Sequence, residues 1–372
     1  MEFGVDYQKK KKNNSLKWLL SFAAIVAVGL LALHLTGLVR FTGDRASAVK
    51  LRCVSNQQVT PFGENVLYYD GTTLFCLNPN GSENWSFTLG SGAGFNCEGG
   101  TLVAWVDNQL FIFDRNGRST YNDHLAYEVQ FAKAGSRYVA AVLGDGISPT
   151  LIVKDLSGIT VDEETTAYQD RMILDVGFFS DGEYLWTTAL DVYGTVPSTT
   201  MYIIQVGRMN TGEVSLGENL TYAVRYAGSK LNVITTRQLL QYDYRGVQDK
   251  TGTLLVYGWK LIDADENSAN AELLFAPSRQ AGDVIEITEL RLIRGSRDQR
   301  FTLPSVCVGA ALRGDRIYAF GADSIYRAGY RDSRFTTLGL NLGSTVTGFW
   351  GMTSKGVALV SCGMDVYAVT LP

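Results

Sequence analysis

Short stretches in which apolar and polar residues alternate follow one another from residue 57 to the end of the chain. The first four are QQVTPFG, NVLYYD, TTLFCLNPNG and ENWSFTL, and the next four repeat the arrangement as GFNCEG, TLVAWV, NQLFIFDRNG and RSTYNDHL. Alternation with period two is typical of strands that bury one face, and glycine, asparagine and aspartate between them mark chain reversals. The pattern predicts successive groups of four short antiparallel strands.

A glycine turn closes the third stretch of most groups, and these turns recur about every 43 residues. That spacing is the length of a propeller blade of four antiparallel strands. No amphipathic helical pattern follows residue 39, so a parallel α/β fold is excluded and an all-β fold is predicted. The turns are Asn80-Gly81, Asn116-Gly117, Ser157-Gly158, Thr211-Gly212, Arg245-Gly246 and Arg294-Gly295.

Eight third strands can be counted, and the last group ends with the chain before a fourth strand is complete. The stretch VKLRCV at residues 49–54 has no other partner, so we predict that it supplies the missing outer strand and closes the ring. Closure would remove the exposed edges that an open array leaves. The prediction is an eight-bladed β-propeller over residues 49–372; the alternative is seven blades, if residues 222–304 form one blade instead of two.

The N-terminal region reads as a membrane anchor. Residues 1–17 form a lysine-rich tail, and residues 18–39 contain no Asp, Glu, Lys or Arg. About 20 helical residues cross a bilayer, and the positive tail is expected to stay in the cytoplasm. We predict one transmembrane helix at 18–39, a linker at 40–48 and an extracytoplasmic propeller. The alternative, a cleaved signal peptide, has a shorter apolar region, of about 7–15 residues.

Charge separates at the predicted membrane. Residues 1–40 carry a net charge of +4 and the remainder carries −8. An acidic domain disfavours nucleic acid as a partner, because binding to phosphates requires cations. Only two histidines occur, and His34 lies in the apolar stretch, so a histidine-based metal or catalytic centre has no support.

One repeat resembles a known family. The unit DGTTLFCLNPNGSENWSFTL places Asp70-Gly71, Leu74, Gly81 and Trp85 as in the repeat of pyrroloquinoline-quinone-dehydrogenase-like propellers, including the outer-membrane-assembly lipoprotein type. Later units retain only the glycine turn and the apolar strands. The overall organisation also resembles an uncharacterised family of membrane-anchored bacterial propeller proteins. That second resemblance implies a bacterial origin and no particular activity.

Cofactor and metal chemistry find little support. The quinone enzymes of the resembled family use adjacent cysteines, whereas Cys53, Cys76, Cys97, Cys307 and Cys362 are all separated, so no cofactor is predicted. Structural thiols are the expected interpretation, with a disulfide as the alternative. Residues 263–267 (DADEN) begin like a calcium loop, but Ser268 and Leu274 replace the required glycine and glutamate. No metal or catalytic residue is predicted.

Three connections between second and third strands are longer than the rest: residues 144–150, 191–200 and 277–283. Long loops on a rigid scaffold are where binding residues concentrate. The candidate partner-binding residues in these loops are Asp145, Tyr193, Pro197 and Arg279.

The sequence therefore predicts a non-catalytic, single-pass membrane protein that serves as a binding or scaffold module in the bacterial cell envelope. Its expected partner is an envelope protein, peptide or glycan. The alternatives are an envelope enzyme acting on glycan or peptide, which needs carboxylates converging on the mouth of the ring, and the ligand-binding subunit of a receptor complex. Fold alone does not decide among them.

Overall fold

The computed structural model describes residues 46–265, 270–278, 286–332 and 334–372. In these ranges the chain is almost wholly β-structure, with short 3₁₀ turns at Thr166–Tyr168 and Lys250–Gly252. No helix within them has the length and apolar character needed to span a bilayer. The predicted basic tail (1–17), the predicted transmembrane helix (18–39) and most of the predicted linker (40–48) lie outside the described residues.

The strands form seven antiparallel sheets, which we number 1 to 7 in chain order. Sheet 1 contains β2 (Gln58–Phe62), β3 (Asn65–Tyr69), β4 (Thr73–Leu77) and β5 (Glu83–Thr88). Sheet 2 contains β6 (Gly94–Glu98), β7 (Thr101–Val106), β8 (Gln109–Phe113) and β9 (Ser119–His124). Sheet 3 contains β10 (Val129–Ala134), β11 (Tyr138–Leu143), β12 (Thr150–Asp155) and β13 (Thr160–Glu164). Sheet 4 contains β14 (Arg171–Phe178), β15 (Tyr184–Asp191), β16 (Ser198–Gln205) and β17 (Met209–Gly217).

The remaining sheets complete the chain. Sheet 5 contains β18 (Thr221–Ala227), β19 (Lys230–Thr235), β20 (Gln238–Tyr242) and β21 (Leu254–Leu255). Sheet 6 contains β22 (Trp259–Asp265), β23 (Glu272–Pro277), β24 (Ile287–Arg294), β25 (Arg297–Leu312), β26 (Arg316–Gly321), β27 (Ser324–Gly329) and β28 (Thr336–Gly339). Sheet 7 contains β29 (Gly348–Met352), β30 (Val357–Cys362), β31 (Asp365–Thr370) and β1 (Ser47–Val54).

Sheet 6 has seven strands because β25 belongs to two groups. The N-terminal part of this 16-residue strand pairs with β24, from Arg297↔Arg294 to Thr302↔Glu289. Its C-terminal part pairs with β26, from Cys307↔Gly321 to Leu312↔Ile317. A single strand therefore ends one group of four and begins the next.

Hydrophobic clusters join each sheet to its neighbour. Leu67, Phe95 and Phe111, for example, share the cluster between sheets 1 and 2. The series closes on itself, because Leu51 and Val366 of sheet 7 pack with Val66 of sheet 1. First strands of neighbouring sheets also contact each other, including β2 with β29. This closed series, with first strands innermost, indicates the predicted β-propeller architecture.

The predicted closing strand is confirmed. β1 pairs with β31 in antiparallel register from Ser47↔Thr370 to Lys50↔Tyr367, with an irregularity before Val54↔Asp365. Leu51 and Cys53 are almost fully buried. N-terminal and C-terminal strands are therefore hydrogen-bonded partners in one sheet, which leaves no open edge at the ends of the series.

The sheets have two distinct edges. We call "loop edge" the one where second strands turn into third strands and where fourth strands lead into the next sheet, and "turn edge" the opposite one. Backbone hydrogen bonds fix the loops along the loop edge: Gly144 N donates to Glu128 O at 2.9 Å within sheet 3, and Ser148 N donates to Arg171 O of sheet 4 at 3.1 Å. The chain enters sheet 7 at Ser47, which lies at the turn edge.

The repeated turn glycines serve two purposes. Gly117 and Gly158 have φ values of +76° and +92°, which favour glycine. Each also lies against an aromatic ring on the fourth strand of the preceding sheet, Gly117 against Trp85 and Gly158 against Tyr121. The glycine that allows the chain to reverse therefore also allows close packing against the fourth strand of the preceding sheet.

Candidate functional site

The loop edge brings together the predicted binding residues that the structure describes. Asp145 is exposed between β11 and β12, and Tyr193 and Pro197 are exposed between β15 and β16. Tyr193 is 64% exposed, and its backbone N–H donates to Asp191 Oδ1 at 3.0 Å. Arg279, the fourth predicted residue, lies outside the described residues. The positions of these loops match the prediction; a role for their side chains in binding stays a prediction.

Large apolar side chains are exposed mainly on this edge. Isolated exposed apolar residues are normal in a soluble domain, but a one-sided concentration marks an interaction surface. Those at or near the loop edge are Tyr127, Ile147, Met172, Leu174, Val192, Tyr193, Val196, Leu220, Tyr222, Leu255, Tyr257, Val306 and Met364. Those at or near the turn edge, within the described ranges, are Val49, Ile159, Tyr244 and Val247, and Trp350 lines a channel cavity.

An aromatic cleft opens on the loop edge between sheets 5 and 6. It has a volume of about 670 Å³ and is lined by Tyr222, Thr236, Tyr257, Gly258, Trp259, Lys260 and Ser278. Tyr222 Oη accepts a hydrogen bond from Leu261 N at 3.1 Å and donates to Trp259 O at 3.5 Å. Burial raises the pKa of Tyr222, which keeps its hydroxyl a donor. These two hydrogen bonds of Tyr222 join sheets 5 and 6 and fix one wall of the cleft.

Stacked cations fix the opposite wall. The Arg300 guanidinium lies 5.4 Å from the Trp259 ring centre, and that of Arg291 lies 5.8 Å from it. Arg291 is itself held by Asp298 through two hydrogen bonds of 2.9 and 2.7 Å. The cleft is therefore preformed, and its apolar lining suits an aromatic or aliphatic side chain. The sequence pattern treats Trp259 as an ordinary strand residue and gives no sign of this cleft.

The innermost strands line a channel that carries charges of both signs. One cavity of about 310 Å³ includes Glu98, Lys133, Asp175 and Arg225. Lys133 Nζ and Asp175 Oδ1 lie 3.0 Å apart. No group of three or more His, Cys, Asp or Glu residues suited to hold a metal occurs in the described part of the chain. Lys133 and Asp175 thus pair with each other across sheets 3 and 4.

A second channel cavity, of about 760 Å³, lies toward the turn edge beside Asp263. Asp263 follows a bulge in β22, between Leu261 and Asp263, and bulges re-aim side chains. Its carboxylate accepts hydrogen bonds from Ala264 N at 2.9 Å and Leu312 N at 2.6 Å. Asp263 and Asp265, the first two acids of the calcium-loop-like stretch, lie on strand β22, and the rest of that stretch lies outside the described residues. Asp263 links β22 to β25.

The Asp263 link is expected to make stability depend on pH. Burial raises the pKa of Asp263 from 3.8 to about 6. The folded state therefore binds this proton more tightly than the unfolded state, so stability falls as pH rises from about 4 to about 6 and then levels. For this half-buried group, the decrease in unfolding free energy across that pH range is about 2 kcal/mol after allowance for solvent screening. Asp263→Asn should remove this part of the profile.

The measurement is urea unfolding of both proteins between pH 4 and pH 7.5. The difference in unfolding free energy between Asp263→Asn and the parent should change in favour of the variant as the pH rises. Parallel pH profiles would show that Asp263 has an ordinary pKa in the folded protein.

The five cysteines are free thiols. Cys53, Cys76, Cys307 and Cys362 are buried, and Cys97 is half-buried. Burial raises the pKa of Cys53 and Cys76 to about 11, and that of Cys97 and Cys307 to about 12. Thiols with such pKa values carry almost no thiolate at neutral pH, so they are poor nucleophiles and fill space in the inter-sheet clusters.

No protein-family model and no curated protein sequence matches the chain. The fold does match solved structures. BamB from Moraxella catarrhalis has a TM-score of 0.50 at 12% identity, covering 88% of this chain and 97% of that one. Sqt1 from Saccharomyces cerevisiae gives 0.55 at 12%, covering 88% and 97%. The WD40 domain of Pan2 from Neurospora crassa gives 0.50 at 9%, covering 85% and 89%.

The chain has a β-propeller fold. Its neighbours include both a propeller of the pyrroloquinoline-quinone-like type and WD40 propellers. The resemblance seen in the unit at residues 70–89 is therefore supported at the level of the fold. Identities of 9–12% carry no function from those proteins to this one.

Proposed function

We propose that this protein is a non-catalytic binding or scaffold module of the bacterial cell envelope, and that its loop edge is the binding surface. The observation that carries the proposal is the one-sided exposure of large apolar side chains, together with the preformed aromatic cleft on the same edge. Contiguous exposed apolar surface is costly in water and is retained where a partner covers it.

The propeller in this proposal has eight blades. Sheet 6 supplies two of them through the shared strand β25, and the other six sheets supply one each. The seven-bladed alternative joined residues 222–304 into one blade, but β18–β21 and β22–β25 lie in different sheets. A hydrophobic cluster within sheet 6, including Leu290, Phe301 and Ile317, packs its two halves as the clusters elsewhere pack neighbouring sheets.

The proposal also includes membrane anchoring through residues 18–39, with the N-terminus in the cytoplasm. The chain enters the propeller at Ser47 on the turn edge, and the proposed binding surface is the opposite, loop edge. From the last residue of the predicted span to Ser47 the chain has a reach of about 30 Å at roughly 3.3–3.6 Å per residue.

The channel favours binding over the enzymatic alternative. A glycan- or peptide-cleaving site requires carboxylates free to transfer protons or attack a substrate. Asp175 is paired with Lys133, and both Asp263 oxygens accept backbone hydrogen bonds. These carboxylates hold strands in place.

Site-specific photo-crosslinking in intact cells tests the proposed function. A photoreactive phenylalanine replaces Tyr193 on the loop edge in one variant and Tyr244 on the turn edge in the other; both tyrosines are exposed, at 64% and 43%. We expect a discrete adduct from position 193 and none of the same mass from position 244. Absence of any adduct at 193, or the same adduct from both positions, would contradict the proposal.

A further inference from the structure

We propose that the partner presents a basic polypeptide segment that also carries apolar side chains, bound along the loop edge over sheets 3 to 5. This inference rests on the proposed function, since it specifies the chemistry of the partner for that surface. The evidence for it is the distribution of charged side chains on the loop edge, which is independent of the apolar exposure described above.

Unpaired carboxylates line this part of the loop edge. They are Glu128, Asp145, Asp170, Asp191 and Glu218, and none has an ion-pair partner within the described residues. Asp191 is half-buried, and the other four are exposed. Arg171, a cation at the start of β14 on the same edge, is half-buried beside the Tyr202 ring and lies 4.0 Å from Glu213. A surface of this kind has a negative potential that only a partner or solvent ions neutralise.

Carboxylates on the turn edge behave differently. Glu64 lies 2.6 Å from Lys355, and Glu183 lies 3.9 Å from Arg137. Lys230 donates a hydrogen bond to Asp249 and lowers the pKa of that carboxyl. Other turn-edge acids, among them Asp155 and Asp243, have no ion pair but accept hydrogen bonds from backbone N–H groups of their own turns. Turn-edge acids are therefore held by cations or by backbone donors, whereas the five acids named above on the loop edge have no cation partner within the described residues.

Acidic and apolar side chains alternate closely along the loops. Four loops along this part of the edge each place an acid within two residues of an exposed apolar side chain. The pairs are Tyr127 with Glu128, Asp145 with Ile147, Asp191 with Tyr193, and Glu218 with Leu220. Apolar contact beside an ion pair excludes water and strengthens the pair, so the matching ligand alternates cationic and apolar groups.

The same charges disfavour other partner classes. Nucleic acids, anionic lipid headgroups and anionic glycans would meet like charge over sheets 3 to 5. The loop-edge cations in or beside sheets 3 to 5 are half-buried Arg171, Arg237 in the loop between β19 and β20, and Lys260, which lines the aromatic cleft. They are fewer than the five carboxylates. A segment whose basic part covers sheets 3 to 5 would end with an apolar side chain in that cleft.

The surface is held in place before any partner arrives. Besides the bonds from Gly144 and Ser148, Asp170 N donates to Ser148 Oγ at 2.8 Å, and Thr236 N donates to Leu220 O at 3.3 Å. Bonds between loops reduce the entropy lost on binding, because the loops are already ordered.

Peptide binding to the full-length protein in nanodiscs of neutral phosphatidylcholine tests the inference. The probe is a short synthetic peptide that alternates lysine with leucine and tyrosine; its counterparts carry glutamate in place of lysine, or serine in place of the apolar residues. We expect saturable binding of the first peptide only, measured by fluorescence anisotropy at physiological ionic strength.

Paired variants locate the binding. Asp145→Asn with Asp191→Asn should weaken the lysine peptide about tenfold, because each exposed ion pair contributes up to about 1 kcal/mol. Asn retains the acceptor for Tyr193 N, so the loop is expected to keep its shape. The matched control, Glu64→Gln with Glu183→Gln on the turn edge, should leave affinity unchanged. Equal weakening by both pairs, or equal binding of the glutamate peptide, would overturn the inference.

Competition separates this inference from the proposed function. The lysine peptide should reduce the crosslinked adduct at position 193 in isolated membranes. If position 193 yields an adduct that the lysine peptide leaves unchanged, the loop edge binds a partner and the charge inference is wrong. If position 193 yields no adduct, the proposed function itself is contradicted.

Discussion

Replacing Ser47–Val54 with a Gly/Ser segment of equal length is expected to abolish cooperative folding of the propeller. The change removes the β1–β31 pairing and the buried side chains of Leu51 and Cys53. Loss of one buried leucine side chain typically costs about 2–5 kcal/mol, so loss of the whole strand is expected to cost more than about 5 kcal/mol. That equals a large part of the roughly 5–15 kcal/mol by which proteins of this kind are stable.

Solubility and thermal unfolding of the full-length protein provide the measurement. Removal of β1 would also expose β31 as an unpaired edge, so we expect aggregation as well as unfolding. The control replaces the exposed loop residues 192–197 with Gly and Ser, which should leave the unfolding temperature nearly unchanged. An unaltered transition in the strand variant would show that β1 contributes nothing to closure.

Gly158→Ala is expected to destabilise the protein by about 3 kcal/mol. An alanine methyl group there would overlap the Tyr121 ring, and the φ of +92° is itself unfavourable for alanine. Displacement of the ring would also disturb buried Lys154, whose Nζ lies 4.9 Å from the ring centre and donates to Gly158 O at 3.1 Å. Denaturant midpoints with an unchanged m-value provide the measurement.

Gly63→Ala is the matched control for this substitution. Gly63 also has a positive φ, +55°, but no atom lies within 4 Å of the position an alanine methyl group would take. Only the conformational cost remains, about 1 kcal/mol. Equal losses in the two variants would mean that contact with Tyr121 adds nothing to the need for glycine.

Local sequence pattern was sufficient for the strands and for ring closure. The alternation in NVLYYD or TLVAWV follows from burial of one strand face, which depends only on residues within the strand. The closing strand followed from counting, because VKLRCV was the one stretch without a group. Asp145, Tyr193 and Pro197 fall in loops at the loop edge as predicted, since their glycine- and proline-rich surroundings do not fit a strand.

Contacts between segments that are distant in sequence could not be predicted from local pattern. The hydrogen bond between Tyr222 and Leu261 joins different sheets, and so does the ion pair between Lys133 and Asp175. In each case the sequence around one partner gives no indication of the other. Strand β25 also continues through Pro304, although prolines are rare inside strands. Proline is compatible with extended backbone, and Pro304 lies between the paired stretches, where the ladder needs no N–H donor from that position.

The continuous strand β25 has a mechanical consequence. Elsewhere in the series successive sheets are joined by loops, and each such joint can bend by adjusting loop dihedral angles. Within sheet 6 the backbone passes from one group to the next without a hinge, so rotation of one half against the other would break paired strands. Relative motion of neighbouring sheets is therefore expected at the loops between the other sheets. Sheet 6, where Asp263 accepts a hydrogen bond from Leu312 N, is expected to be the most rigid part of the ring.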